Sequence, residues 1–260
     1  MSEYIYDPSL EDERTRLRAL ETVLDPGSIR ALEAVGVGKN WRCLEVGGGG
    51  GSIARWLCEH AGSVVATDLS PRFLEEIDAP NLEVRKANVV TEPLEENFYD
   101  LVHSRDVLEH IPEREAVLDK MVAALKPGGW LMAEDVDFTA ALRLDGFGEQ
   151  GEVIALDGKW YAAASEAMRR LGIDPEYGRK LPWRLRARGL TDVAADVRAV
   201  LIKGGTLTAK LYELSLTQQR RLLEGLMSED EIDRVAAILQ SEDYMAFGPF
   251  HVAAWGRKPA

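Results

Sequence analysis

Short apolar runs alternate with longer polar or amphipathic segments through the first half of the 260-residue chain. Each run has the length of a strand, and turn residues or helical spacing separate one run from the next. Strands and helices that alternate in this way are typical of a mostly parallel, doubly wound α/β sheet, which is the predicted fold class. Five strands are predicted here, at residues 41–46, 63–68, 82–88, 99–104 and 130–137.

Two helices are predicted before the first strand. The spacing of the leucines indicates one helix over about 10–24. Pro26 or Ser28 marks the start of a second helix, and Gly36 marks its end. Together they form an expected helical segment at the N-terminal side of the sheet.

Helices are also predicted between the strands. Ser70 followed by Pro71 has the form of a helix start after the second strand. A longer helix is expected over about 112–125, ended by Pro127 and the glycines that follow it.

The regular alternation ends after Asp137. A loop with several glycines leads to a helix predicted over about 157–171, which we expect to lie over the sheet as a lid. A sixth strand, a helical stretch over 206–241 with a capping box at Ser228 and Glu231, and a last strand near the C-terminus complete the chain.

The expected organisation is therefore one domain over residues 1–260. Its segments are an N-terminal helical cap (1–39), a core that binds a cofactor (40–138), a lid insertion (139–185) and the C-terminal helices and last strands (186–260).

Charge and composition narrow the possible partners. The net charge is −13, which disfavours a nucleic-acid backbone as a ligand. The densest basic segment, 179–188, is interpreted as a solvated helix face with its tryptophan packed inward. No apolar stretch has the length of a membrane span, and the charged N-terminal segment lacks the apolar part of a signal peptide. Two cysteines suit buried packing in a reducing compartment, so a cytoplasmic location is expected.

Five consecutive glycines, Gly47 to Gly51, lie between the first strand and a helix. In a parallel sheet this position borders the crevice at the carboxyl ends of the strands, where ligands bind. Glycine allows a ligand to approach the backbone, and the helix start offers N–H groups. The loop is therefore a predicted cofactor site.

Two residues favour S-adenosylmethionine over a dinucleotide cofactor, and a third is compatible with both. Ser52 stands where the dinucleotide fingerprint has its third glycine. Glu45, before the loop, suits a cationic ligand better than a pyrophosphate, although it can instead cap backbone N–H groups. Asp68, at the end of the second strand, can accept hydrogen bonds from both ribose hydroxyls, although a capping or turn role is the alternative. Asp68 alone is also compatible with a nicotinamide cofactor.

At this point the chain resembles the class I S-adenosylmethionine-dependent methyltransferases. "LEVGGGGG", "VVATDLSPRFLE", "KANVV", "YDLVHSRDVLEHIPE" and "LKPGGWLMAED" correspond in order to segments of that family, over about residues 41–137. The resemblance implies a Rossmann-like sheet of seven strands with the last strand antiparallel. It also implies that S-adenosylmethionine binds and that S-adenosylhomocysteine is the product.

The resemblance assigns the cofactor contacts residue by residue. Asn88 stands where the family usually has an aspartate on the adenine amino group, and its side-chain oxygen can still accept that bond. A turn at the strand end is the alternative role for Asn88. The full set of implied cofactor residues is Tyr6, Glu45, Gly47, Gly49, Gly51, Asp68, Leu69, Asn88, Val89 and Ser104.

Methyl transfer needs no universal catalytic residue, because the methyl group of a sulfonium is already a good electrophile and the enzyme mainly aligns the acceptor. Asp135 is the first candidate for catalysis because it and Asp137 share one face at the end of the fifth strand. His110 is the second, with a structural role as its alternative. Arg105 is the third, and a salt bridge is an equal alternative for it.

Four residues are predicted to contact the acceptor. They are Asp137, Trp160, Tyr161 and His251, and packing is the alternative for the two aromatic residues and for the histidine. No Cys/His cluster has the spacing of metal ligands, so no metal is expected.

The predicted function is methyl transfer to a small acceptor, aromatic or similar to a natural product, by in-line displacement. Oxygen, nitrogen and carbon all stay open as the methylated atom, and so does a homodimer. Two alternatives are an NAD(P)-dependent oxidoreductase and a non-catalytic protein that binds S-adenosylmethionine.

Overall fold

A computed structural model of the chain describes residues 11–141 and 151–260. Tyr6 and the loop before the predicted lid helix lie outside the described residues. The helices are α1 (Glu11–Val35), α2 (Ser52–His60), α3 (Arg114–Ala124), α4 (Gly151–Arg170), α5 (Tyr177–Ala187), α6 (Leu207–Gln219) and α7 (Glu229–Gln240). The strands are β1 (Arg42–Val46), β2 (Ser63–Asp68), β3 (Leu82–Lys86), β4 (Tyr99–Arg105), β5 (Leu125–Ala141), β6 (Thr191–Lys203) and β7 (Met245–Arg257).

The seven strands form one sheet in the order β3-β2-β1-β4-β5-β7-β6. The pairs formed among β1 to β5 are parallel. Strand β7 runs the other way, because Lys258 at its end exchanges hydrogen bonds with Gly128 and Gly129 near the start of β5. The predicted seven-stranded doubly wound sheet with an antiparallel last strand is therefore confirmed. The order in which the chain adds strands reverses between β1 and β4, because β2 and β3 lie on one side of this point and β4 and β5 lie on the other. The ligand crevice of such sheets opens at this point.

The chain divides into two compact units. The sheet unit consists of Leu24–Val136, Glu176–Arg198 and His251–Ala260. The helical unit consists of the described residues of Met1–Val23, Asp137–Pro175 and Ala199–Phe250. The predicted insertion 139–185 is thus divided, with α4 in the helical unit and α5 in the sheet unit.

Apolar residues of the sheet unit cover both faces of its strands. On one face, Leu118 and Met121 of α3 pack with Leu185 of α5 against buried strand residues. On the other face, Leu32 of α1 and Leu57 of α2 pack against Cys43 and its neighbours. Strands buried on both faces read as continuous apolar runs, which explains why the sequence pattern predicted them well.

The helical unit has its own apolar core. Trp160 of α4 packs with Tyr212 of α6 and with Ile232 and Val235 of α7. Helix α7 begins at the predicted capping box, in which Ser228 and Glu231 exchange hydrogen bonds. Among the described residues, no helix is long and apolar enough to cross a membrane.

One continuous helix, α1, replaces the two helices predicted before the first strand. Pro26 lies inside it, although proline cannot donate the usual backbone hydrogen bond. Two side chains stabilise the neighbouring backbone, since Ser28 Oγ and Arg198 Nη1 both donate to the carbonyl of Leu24. Gly36 ends the helix as predicted, with a φ of 89°.

The helix predicted after Ser70 is also wrong. Only a 3₁₀ turn, Pro71–Phe73, forms there, and the Ser70 side chain makes no capping bond. Pro80 follows closely and disfavours helical geometry at the residue before it, which leaves little room for a longer helix.

The basic segment 179–188 forms α5 as expected, but its tryptophan does not pack inward. Trp183 is 68% exposed, and Leu181 and Leu185 are the buried residues of the helix. The helical spacing places Trp183 on the opposite side from these leucines.

Candidate active site

The glycine loop turns sharply from β1 into α2. Gly47, Gly49 and Gly51 all have positive φ, at 70°, 53° and 89°. The N–H groups of Gly47 and Gly48 both donate to the carbonyl of Thr67 at the end of β2. These bonds place the loop at the carboxyl ends of β1 and β2, where the cofactor was predicted.

Three glycines of the loop have no room for a larger residue as they stand, and a Cβ at Gly51 would lie 2.8 Å from Ile77 Cδ1. A Cβ at Gly47 would lie 2.4 Å from Val107 Cγ2, in the loop after β4. A Cβ at Gly48 would lie 2.9 Å from Leu74 Cδ2. Gly48 is therefore closely packed although its φ is not positive, but a leucine side chain can shift more easily than backbone.

Asp68 joins the end of β2 to the glycine loop. Its Oδ2 accepts a hydrogen bond of 3.0 Å from the Gly49 N–H, and its Oδ1 accepts one of 2.8 Å from the Ser70 N–H. A carboxylate oxygen can accept two hydrogen bonds, so each oxygen keeps capacity for a ligand hydroxyl. Leu69, the next residue, is 56% exposed and presents apolar surface beside this carboxylate.

Asn88 forms the turn at the end of β3 that was its alternative role. Its Oδ1 accepts a hydrogen bond of 2.9 Å from the Val90 N–H, and its carbonyl accepts from Thr91 and Glu92. Among the described residues, none accepts a hydrogen bond from the Val89 N–H. The turn thus leaves a backbone donor at Val89 and one further acceptor position on Asn88.

A chain of buried charges lies under the glycine loop. His103 is fully buried between two carboxylates, with Nδ1 2.6 Å from Glu45 Oε2 and Nε2 3.0 Å from Glu134 Oε1. The other oxygen of Glu134 lies 2.7 Å from Arg198 Nη2. The charges in this series are therefore negative, positive, negative and positive, from Glu45 through His103 and Glu134 to Arg198.

The charged state of His103 follows from this arrangement. Burial opposes a charged imidazole, but Glu45 and Glu134 outweigh that effect and raise the pKa of His103 to about 9. Burial likewise opposes a charged Glu134, yet His103, Arg105 and Arg198 lower its pKa to about 2. Glu45 is thus paired inside the protein, and an ammonium group of a ligand would share it with His103.

Ser104 and Arg105 close the end of β4. Ser104 is fully buried, and its hydroxyl has no hydrogen-bond partner among the described residues. Arg105 Nη1 lies 2.9 Å from Asp25 Oδ1 and 3.0 Å from Ser28 Oγ, both in α1. The salt-bridge alternative for Arg105 is therefore present, and no described contact supports its catalytic role.

Asp135 and His110 take part in the hydrogen bonds and the ion pair that connect β5 with the loop after β4. Asp135 Oδ1 accepts a hydrogen bond of 3.1 Å from the Glu109 N–H, and Glu109 Oε2 accepts one of 2.6 Å from the Val136 N–H. His110 Nε2 lies 3.3 Å from Glu109 Oε1. Burial raises the pKa of Asp135 well above its usual range. These contacts are structural for both predicted catalytic residues.

His251 lies on β7 beside the loop that follows β4. Its Nδ1 is 3.7 Å from Asp106 Oδ1, and both side chains are mostly buried. Asp106 has a φ of 54°, a conformation uncommon for residues other than glycine. The predicted acceptor residue His251 therefore stands at the same strand ends as the glycine loop.

The other three predicted acceptor residues belong to the helical unit. Asp137 Oδ1 accepts hydrogen bonds from Thr139 and from the Ala140 N–H. Trp160 is 3% exposed, and its ring packs against those of Tyr161 and Tyr212. The described contacts of these residues are packing and turn contacts, so their binding role stays a prediction.

Several residues of the site were missed from the sequence. His103, Asp106 and Arg198 were not among the predicted site residues. A histidine next to the apolar residues Leu101 and Val102 of a buried strand is a signal for a buried, paired imidazole. Among the described residues, no group of three or more His, Cys, Asp or Glu side chains is arranged so that it could hold a metal ion.

Comparisons with known proteins agree with this geometry. The family model described as "Methyltransferase domain" matches residues 44–133. The chain is 28% identical over 190 residues to "Methyltransferase str2" of Strobilurus tenacellus, covering 70% of this chain and 66% of that one. It is 30% identical over 170 residues to "Ubiquinone biosynthesis O-methyltransferase" of Xylella fastidiosa, covering 58% of this chain and 69% of that one. The match spans 66% of "Methyltransferase str2" and 40% of "Methyltransferase str3", a second protein of Strobilurus tenacellus. In both cases this is less than two thirds of the relative's own length.

Solved structures with low sequence identity share the fold. The phosphoethanolamine N-methyltransferase 2 of Haemonchus contortus, solved with S-adenosylhomocysteine, has a TM-score of 0.58 at 17% identity and covers 95% of this chain and 58% of its own. The [4+2]-cyclase SpnF has a TM-score of 0.53 at 14% identity and covers 95% of this chain and 94% of its own.

Proposed function

Because the chain belongs to the class I S-adenosylmethionine-dependent methyltransferase family, we propose that it transfers a methyl group from S-adenosylmethionine to a small acceptor by in-line displacement. S-adenosylhomocysteine is then the second product. The observation that carries this proposal is the hydrogen bond between Asp68 and the Gly49 N–H, which brings the acid of the second strand to the glycine loop.

The residues of the crevice fit the cofactor. Asp68 keeps one acceptor position on each oxygen for the ribose hydroxyls, and Leu69 offers an exposed apolar surface for the adenine ring. Asn88 and the Val89 N–H suit the polar edge of the adenine. S-adenosylmethionine contains no pyrophosphate, so its binding brings no phosphate close to the buried negative charge of Glu45.

The glycine loop and the end of β4 are the segments that would bind the methionine part of the cofactor. The backbones of Gly47, Gly49 and Gly51 can be approached closely, and Ser104 supplies a buried hydroxyl whose hydrogen-bonding capacity is unused among the described residues. Glu45 carries the charge that attracts the ammonium group.

When bound, the cofactor supplies a methyl group on a positively charged sulfur. The chain's contribution is to orient the acceptor and to exclude water, and alignment of this kind accounts for much of the rate. Arg105, His110 and Asp135 hold the strand ends in position through their ion pairs and hydrogen bonds.

The acceptor is proposed to be small and aromatic or similar to a natural product. Support comes from the relative named for ubiquinone biosynthesis. The structural neighbour named for phosphoethanolamine and the one named as a cyclase carry other chemistry on the same fold, so fold alone does not select the acceptor. The predicted cytoplasmic location and the homodimer stay predictions.

Calorimetric titration with S-adenosylhomocysteine tests the cofactor proposal. We expect saturable binding to the wild-type chain and a tenfold or greater loss of affinity in Asp68→Ala, which is about 1.4 kcal/mol. Asp78→Ala is the matched control, because Asp78 is an exposed aspartate outside the crevice. Absence of binding to the wild type, or an equal effect of both variants, would overturn the proposal.

A further inference from the structure

The strongest feature that the cofactor site does not use is the pair of Asp106 and His251. The antiparallel course of β7 brings His251 to the carboxyl ends of the parallel strands. Its Nδ1 lies 3.7 Å from Asp106 Oδ1. Val107, the residue after Asp106, contacts Gly47 of the cofactor loop, so the pair borders the crevice in which the methyl group would lie.

The backbone at Asp106 is held in an unusual state. Its φ of 54° is maintained by a hydrogen bond of 2.8 Å from the Asp106 N–H to the carbonyl of Glu134. Left-handed residues other than glycine store strain and gather at functional sites. The Asp106 carboxylate lies within ion-pair distance of the His251 ring from this position.

Four charged groups act on His251. They come from the end of β4 (Arg105 and Asp106), from β5 (Glu134) and from β6 (Arg198). Arg105 also pairs with Asp25, and Arg198 also pairs with Glu134. Asp106 is the group with a direct contact to the imidazole.

The imidazole is neutral at neutral pH. Burial lowers the pKa of His251, Asp106 and Glu134 oppose that shift, and Arg198 and Arg105 add to it. No described residue makes a hydrogen bond to either ring nitrogen. A mostly buried histidine with a carboxylate oxygen 3.7 Å from one ring nitrogen, an ion-pair rather than a hydrogen-bond distance, has a neighbour that stabilises its charged form once it has accepted a proton.

We propose that His251 is the general base of this enzyme and that Asp106 is its positioning residue, acting on an acceptor that is a phenol or an enol. The inference rests on the proposed methyltransferase function. His251 Nε2 removes the proton from the acceptor hydroxyl as its oxygen forms a bond to the methyl carbon. The bond from that carbon to sulfur breaks, its electron pair stays on sulfur as a neutral thioether, and the imidazolium beside Asp106 later releases its proton to water.

The chemistry of the base selects this acceptor class. An amine delivered as the free base already has a lone pair and needs no proton removed before attack. A histidine whose pKa is lowered is a weak base, so it suits an acidic hydroxyl better than an aliphatic alcohol. Phenols and enols are the hydroxyl acceptors with that acidity.

The first test is the titration of the four histidines by nuclear magnetic resonance, with His251→Gln to assign the signal and His60→Gln as a matched control. We expect the pKa of His251 to lie below 6.5 and to fall further in Asp106→Asn, because Asp106 raises it. A His251 that is protonated at pH 7.5, or one that does not respond to Asp106→Asn, overturns the inference without any acceptor being known.

The second test is methyl incorporation from labelled S-adenosylmethionine into a panel of phenols and catechols and the corresponding anilines. We expect methylation of the hydroxyl compounds, and a fall in kcat of about 100-fold in His251→Gln and His251→Asn with unchanged affinity for S-adenosylhomocysteine. In the wild type, kcat should decrease as the pH is lowered through the pKa of His251. This decrease in the pH profile should be absent in the two variants.

The outcomes separate the two proposals. If the wild type fails to bind S-adenosylhomocysteine, the proposed function itself fails. If it binds and methylates only the anilines, or if His251→Gln keeps the wild-type rate on phenols, the general base is overturned and the methyltransferase function stands. If the wild type binds S-adenosylhomocysteine and methylates no compound of the panel, the proposed general base acting on a phenol is overturned.

Discussion

Glu45 Oε2 and His103 Nδ1 lie 2.6 Å apart, so the acid that precedes the glycine loop is paired with a fully buried histidine of the neighbouring strand. Glu134 continues this arrangement from β5. One imidazolium therefore ties together three adjacent strands at the floor of the cofactor crevice. Its removal takes the charged partner from the buried Glu45 and leaves Glu134 with Arg198.

We expect His103→Gln to destabilise the protein strongly. Breaking a buried ion pair by removing one partner costs about 3–5 kcal/mol. Urea unfolding measures the effect. The control is His60→Gln, because His60 stacks on Trp56 within α2 and pairs with no carboxylate in the described structure. Equal losses in the two variants would contradict a special role for the buried pair.

The free energy of unfolding should also decrease at alkaline pH. The pKa of His103 is about 9 in the folded protein against 6.5 as its ordinary value. This contribution is fully present below pH 6.5 and is lost as the pH rises toward and through 9. The expected loss is roughly 3 kcal/mol, measured as the free energy of unfolding at a series of pH values. In His103→Gln the curve should be flatter over that range; the same slope in both proteins would refute the assignment.

Gly47→Ala should damage the cofactor site, whereas Gly50→Ala should not. Gly47 has positive φ, and an added Cβ would meet Val107, so we expect a destabilisation of about 1–3 kcal/mol and at least tenfold weaker binding of S-adenosylhomocysteine. Gly50 is not among the residues with positive φ. Thermal unfolding and calorimetry compare the two variants, and similar affinities would speak against this account of the loop.

Gly27→Ala should lower stability, although this exchange within a helix usually stabilises by about 0.5–1 kcal/mol. The new Cβ would occupy the position of the Arg198 guanidinium and displace it from Glu134. In an Arg198→Ala background the same change should become stabilising, since the conflict is gone. The pair of variants forms a double-mutant cycle, and a stabilising effect in both backgrounds would rule out the displacement.

The sequence predicted those parts of the fold that depend on local pattern. Strands β1 and β2 contain buried apolar runs, the glycines follow β1, and Asp68 ends β2, so the parallel strands and the position of the cofactor loop followed from local pattern. The number of strands and the antiparallel last strand followed from the resemblance to the methyltransferase family. The capping box at Ser228 and Glu231 is another local pattern that the structure confirms.

Other features depend on contacts between distant residues and left no local signal. The partner of Glu45 is 58 residues away, and the bonds that stabilise the α1 backbone near Pro26 include one from Arg198, which is 174 residues from Leu24. The turn at Ser70 looked like a helix start because Ser-Pro is a common beginning, but the Ser70 N–H is held by Asp68. Burial of Leu181 and Leu185 determined the side on which Trp183 lies.

The hydrogen bond from the Gly49 N–H to Asp68 has a kinetic consequence. Together with the bonds from Gly47 and Gly48 to Thr67, it fixes the loop through contacts of the chain itself. A loop that is already ordered loses little conformational entropy when a ligand arrives. We therefore expect the cofactor to associate in one step, with an observed rate that increases linearly with its concentration and shows no plateau from a slower rearrangement.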